Sequence, residues 1–95
     1  MKATRIFHDK TVLADGAIVE MVLWQVASPV HGSKHTFKYR LFYGNAGQRI
    51  VAYDNERGKG DHCHVGATES DYTFVSPERL VADFLADVAK ARGEP

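Results

Sequence analysis

TFKYRLFYGNAGQRIVAYDNERGKGDHCHV, residues 36–65, decides the fold. At its start Phe37, Tyr39, Leu41 and Tyr43 alternate with Thr36, Lys38 and Arg40, and only Phe42 breaks the pattern. That is the period of a strand with one buried face. GNAG at 44–47 is turn chemistry, so residues 48–53 are expected to return antiparallel. A polar loop over residues 54–61 follows, then a short strand around residues 62–65. Upstream, residues 4–13 and 17–26 flank Asp15-Gly16, a dipeptide suited to the positive φ of a tight hairpin. The second of these strands, AIVEMVLWQV, is apolar at both parities apart from Glu20 and Gln25. It reads as a central strand covered on both faces, with Trp24 in the core. Downstream, a turn leads to an expected strand at residues 72–75. Ser76 as N-cap, Pro77 at the first helical position and Glu78 at the positive end of the dipole then open a helix. Its stripe of Leu80, Val81, Phe84, Leu85 and Val88 faces the sheet, and Gly93 stops it. The expected architecture is α+β, an antiparallel sheet of about five to six strands with a C-terminal helix packed on one face. The 95 residues make one domain, 1–95.

Composition narrows the function classes. Twelve Lys and Arg balance twelve Asp and Glu, which argues against a purely electrostatic nucleic-acid binder. The balance hides a segregation. Residues 31–60 carry six basic side chains against two acidic ones, whereas residues 61–95 carry three against seven. A polyanion can therefore still meet a basic face. With Cys63 as the single cysteine, neither an internal disulfide nor a Cys-based zinc site can be built from one chain. No apolar run is long enough to span a membrane, and MKATRIFHDK lacks the apolar core of a signal peptide, so a cytoplasmic location is expected. A domain this small gains from a partner, and a homodimer is one form that partner can take.

The chemistry-bearing run is YDNERGKGDHCH, Tyr53 to His64. On a strand, His62 and His64 share a face about 7 Å apart, within reach of two oxygens of one phosphodiester. Metal-free RNA cleavage needs a base for the 2′-hydroxyl proton and an acid for the leaving 5′-oxygen, and imidazole suits both tasks. Lys59 and Arg57 would stabilise the extra charge on the phosphorane. Asp54 or Asp61 would orient a histidine, and Tyr53 would stack on a base or donate a hydrogen bond. Gly58 and Gly60 leave room for a close approach to the backbone. Lys38 and Arg40, on one strand face, would line an RNA path.

Other readings of the same residues stand beside this one. The run can be an ordinary polar turn, and strand lysines are usually just solvated. His62 and His64 with Asp61, Asp54 or Glu56 could instead hold zinc or manganese, since His-x-His is a common ligand spacing. His31 and His35 read as solvent residues, Cys63 as a small buried hydrophobe facing away from the histidines, and His8 as a residue of the first hairpin without a special role.

The stretches DGAIVEMVLWQV, HGSKHTFKYRLFYGNAGQRIVAYDNERGKGDHCH and YTFVSPERLVADFLADV resemble the TumE family of toxin–antitoxin proteins over nearly the whole chain. The most specific part is YDNERGKGDH-x-H, Tyr53 to His64. The resemblance implies the toxin half of a two-gene module, with a helix-turn-helix antitoxin as partner and RNA as the substrate. It also suggests a basic residue where this chain has Cys63. The functional expectation is thus an endoribonuclease toxin with no metal or other cofactor. His62, His64, Lys59, Asp54 and Asp61 form its catalytic set, and Arg57, Tyr53, Lys38 and Arg40 contact RNA. The rivals are a non-catalytic module binding nucleic acid or a partner, and a metal-dependent nuclease using the same histidines.

Overall fold

A computed structural model describes residues 3–94. Six strands lie in chain order in one antiparallel sheet, β1 (Ala3–Val12), β2 (Ile18–Val26), β3 (Phe37–Asn45), β4 (Gln48–Glu56), β5 (Gly60–Val65) and β6 (Thr68–Asp71), and helix α1 (Pro77–Ala91) follows. The α+β expectation holds. At the first turn Gly16 takes φ 87°, and the Asp15 carboxylate accepts from the Ala17 amide at 3.0 Å. At the helix start the Ser76 hydroxyl accepts from the Arg79 amide at 3.1 Å, with Pro77 next to it.

One face of the sheet carries the core. Val19, Met21 and Leu23 of β2, Tyr39, Leu41 and Tyr43 of β3, and Val51 and Tyr53 of β4 are buried with Leu80, Phe84 and Val88 of α1. Fully burying each aliphatic or Phe side chain stabilises the fold by about 1.5–3 kcal/mol. Leu85, counted in the apolar stripe, lies at its margin and is exposed. The helix is the only second layer among the described residues, and it packs chiefly on β4.

That one-sided layering corrects the reading of β2. The strand is interior, second from the edge, and no element among the described residues covers its other face. Val22 is buried there between its cross-strand neighbours His8 and Arg40. Trp24 lies outside the core, half-buried, with the Lys38 ammonium 5.6 Å from its ring centre.

Two more corrections concern the segment that follows β3. The expected loop over residues 54–61 is mostly strand, because β4 and β5 form a hairpin whose turn is only residues 57–59. The expected strand at 72–75 is irregular chain. Pairing ends at Asp71, where Tyr72 leaves the sheet and donates its hydroxyl to Asp83 of α1 at 2.7 Å.

Asn55 extends the sheet beyond its regular pairing. The β3–β4 ladder stops at Arg40 and Asp54. Past it, the Asn55 amide oxygen accepts from the Tyr39 amide at 3.0 Å, and its nitrogen donates to the Phe37 carbonyl at 2.7 Å. The side chain thus supplies the bonds that a continuing strand would have made, and Asn55 is 2% exposed. Asn55→Ala strands a buried donor and acceptor, so the unfolding free energy should fall by about 1–3 kcal/mol, read by urea denaturation. An unchanged midpoint would contradict this bridging role.

Candidate active site

Strand parity separates the motif onto two faces. Tyr53 pairs with Cys63 on the helix-covered face, while Asp54 pairs with His62 and Ala52 with His64 on the opposite, open face. Across the open face the register builds two adjacent rows. One runs His8, Val22, Arg40, Asp54, His62, Asp71, and the next runs Lys10, Glu20, Phe42, Ala52, His64, Glu69. Neighbouring strands are about 4.8 Å apart, so the residues of a row are contact neighbours.

The two imidazoles stand edge to face with ring centres 5.3 Å apart. Each meets a carboxylate. His62 Nε2 lies 2.7 Å from Asp54 Oδ1, and His64 Nε2 lies 2.9 Å from Glu69 Oε2. His62 Nδ1 lies 3.0 Å from the Gly60 carbonyl, an oxygen to which it can only donate. The Asp54 contact lacks the geometry of a directed hydrogen bond, and Asp54 Oδ1 is buried with no hydrogen-bond partner among the described residues. His62 is buried at 3% exposure, whereas His64 is half-buried, so the accessible edge of the pair is on the His64 side. Lys59, in the turn, places Nζ 3.7 Å from Glu69 and 3.9 Å from Glu56. Lys38 and Arg40 are exposed on the same open face, and Arg40 is the cross-strand neighbour of Asp54. Arg57 is exposed at the turn and lines a hollow with His31 and Lys38.

The structure does not bring Asp61 or Tyr53 to the histidine pair. Asp61 faces the other side, where its carboxylate accepts from the Tyr39 hydroxyl at 2.7 Å and the Ser33 hydroxyl at 3.2 Å and meets His35 Nε2 at 2.8 Å. It anchors the connection between β2 and β3 to β5. Tyr53 is buried under α1 with its hydroxyl donating to Asp87. Burial first, then the Asp87 contact, pushes the Tyr53 phenol well above its usual range. Burial and Asp61 do the same to Tyr39, and burial and Asp83 to Tyr72. None of the three phenols is therefore available to lose a proton near neutral pH. Cys63 sits on the helix-covered side, so a basic residue there would add no charge beside the histidines.

The glycines of the motif serve the chain itself. A Cβ on Gly60 would lie 2.6 Å from the Gly32 carbonyl oxygen, and Gly60 has φ +74°. The Gly58 amide donates to the His31 carbonyl at 2.8 Å. What approaches this turn is the segment around Gly32, which seats against it and fixes the turn carrying Lys59.

Three participants were missed from sequence. Glu69 becomes the partner of His64 only because the short turn at Gly66-Ala67 starts β6 at once. Asn55 takes its bridging place through a contact distant in sequence. His35, expected in solvent, is half-buried, stacks on Phe74 with ring centres 3.8 Å apart and meets Asp61.

No helix among the described residues is long and apolar enough to cross a membrane. Neither a curated protein nor a solved structure matches the chain. The sequence model of the family described as Toxin TumE matches residues 2–92, and the chain therefore belongs to the TumE family, as the toxin of a toxin–antitoxin module with an antitoxin for its partner.

Proposed function

We propose that this toxin is an endoribonuclease that cuts RNA without a metal, using the substrate's own 2′-hydroxyl as nucleophile. The observation that carries the reading is the pair of histidine–carboxylate contacts on one open sheet face, with ring centres 5.3 Å apart. Attack of the 2′-oxygen on phosphorus requires removal of its proton, and departure of the 5′-oxygen requires one to be supplied. One imidazole takes the first proton while the other gives the second. Asp54 and Glu69 position the rings, the role of a carboxylate beside a catalytic histidine. Lys59, next to Glu69, supplies positive charge where the phosphorane gains negative charge. The products are a 2′,3′-cyclic phosphate and a free 5′-hydroxyl.

Lys38 and Arg40 extend the cationic path on the same face, with Arg57 at its end. Each phosphate neutralised on a single strand contributes about 0.7 to the salt slope of binding. Substituting Lys38 and Arg40 together by Ala should flatten that slope by about one to two units in a salt titration with an inactive, His64→Ala background. An unchanged slope would return both side chains to the role of solvated surface. The antitoxin, in this reading a helix-turn-helix protein encoded beside the toxin, covers the open face and displaces RNA.

The test in cells is the fate of total RNA after induction of this chain against the His64→Ala variant. Fragments with new 5′-hydroxyl ends in the first culture alone support the reading. Growth arrest with intact RNA would move the toxin to a non-catalytic binding mechanism.

A further inference from the structure

The geometry points to a binding site for a zinc-class divalent cation formed by His62, His64 and Glu69, whose occupation silences the toxin. One ligand atom from each of these three residues lies within 4.8 Å of the others. Two imidazole nitrogens and a carboxylate oxygen are a donor set that zinc accepts, with a fourth position left to water.

The surroundings favour a cation at this place. The Gly60 carbonyl 3.0 Å from His62 Nδ1 holds the proton on that nitrogen, which leaves Nε2 as the nitrogen with a lone pair for a cation. Ligating histidines are oriented in this way by a carbonyl behind the ring. Asp54 Oδ1, buried without a hydrogen-bond partner among the described residues, lies 2.7 Å from the same Nε2 and adds negative charge at the edge of the site. Around a tetrahedral ion with ligand distances near 2.0 Å, ligand atoms lie about 3.3 Å apart. The His64–Glu69 contact at 2.9 Å needs to open by only a few tenths of an ångström. Glu69, exposed on the edge strand β6, has the freedom to complete the closure. Its present cationic neighbour, the Lys59 ammonium at 3.7 Å, is exposed and can turn away to solvent.

Binding follows from this geometry alone, whereas silencing rests on the endoribonuclease reading. A bound cation takes the nitrogen lone pairs that proton transfer needs and pulls Glu69 from its orienting role.

The test is calorimetric titration of the purified, chelator-treated chain with zinc chloride, alongside RNA cleavage with zinc and with EDTA. The expected result is one zinc per chain, affinity at least about tenfold weaker in Glu69→Gln and in His64→Ala, and cleavage suppressed by zinc and restored by EDTA. Circular dichroism on Glu69→Gln, a change on an exposed edge, shows that its loss of zinc is not unfolding. Absence of saturable binding overturns the site and leaves the cleavage reading intact. Saturable binding with cleavage unaffected by zinc overturns the silencing. Cleavage that is absent in EDTA and appears with zinc also overturns it, and there the metal-free reading fails while the titration still locates the ion.

Discussion

Replacing His64 with Ala is expected to lower the single-turnover rate of RNA cleavage by about 10²–10⁴-fold, and replacing His62 to do the same. That range is the usual contribution of one positioned acid or base. His64 is the half-buried member of the pair, and its substitution disturbs little of the core. His62 is buried, so His62→Ala also leaves a hole and needs a stability control. A urea titration provides that control by separating lost protein from lost proton transfer. With both imidazoles acting in one reaction, as proposed, the double variant should be far less impaired than the product of the two single effects. Full activity in either single variant would place the chemistry elsewhere in the chain.

Much of this site was legible in the sequence. The i, i+2 spacing set His62 and His64 on one face, and the alternation through Lys38 and Arg40 put these cations on one side of β3. Of the two carboxylates expected to orient a histidine, Asp54 meets His62 and Asp61 does not, because the segment from Asp54 to Asp61, read as one loop, is mostly strand. Extended as strands around a three-residue turn, residues 57–59, the same letters put Asp54 opposite His62, and Tyr53 and Asp61 on the other side. The polar and glycine-rich composition that suggested a loop has a different cause. Asn55 replaces missing backbone bonds, and Gly60 yields to the close approach of Gly32. Both contacts join residues far apart in sequence, where local pattern carries no signal. Of the fold, the hairpin turns, the N-cap and the stripe of α1 were visible through local chemistry. The one-sided burial of β2 was not, because an apolar run looks alike whether a second layer covers it or bulky neighbours shield it.

Phe84→Ala should lower the unfolding free energy by about 3–5 kcal/mol, the cost of deleting a fully buried aromatic side chain and leaving a cavity. Phe84 is 0% exposed, and its ring meets Tyr53 edge to face with centres 5.8 Å apart. It is a principal contact of α1 with the sheet, and no other helix among the described residues shares the task. Small domains are stable by only about 5–15 kcal/mol, so this one change removes a large fraction of the total. Urea denaturation checks it through the midpoint, with the slope m unchanged if the unfolded state is the same. Well below the midpoint, folded Phe84→Ala molecules should cut RNA at the wild-type rate, because Phe84 lies on the opposite side of the sheet from the histidines. A destabilisation below about 1 kcal/mol would contradict the packing of α1 described above.

The central claim is that two imidazoles on the open face of the sheet cut RNA through its 2′-hydroxyl with no metal. It is tested most directly by incubating the purified, antitoxin-free chain in EDTA with an RNA oligonucleotide and with its all-DNA counterpart, and identifying the ends of the products. The account predicts cleavage of the RNA alone, with a 2′,3′-cyclic phosphate on one fragment and a 5′-hydroxyl on the other. Cleavage of the DNA, or RNA cleavage that stops in EDTA and returns with zinc or manganese, would contradict it.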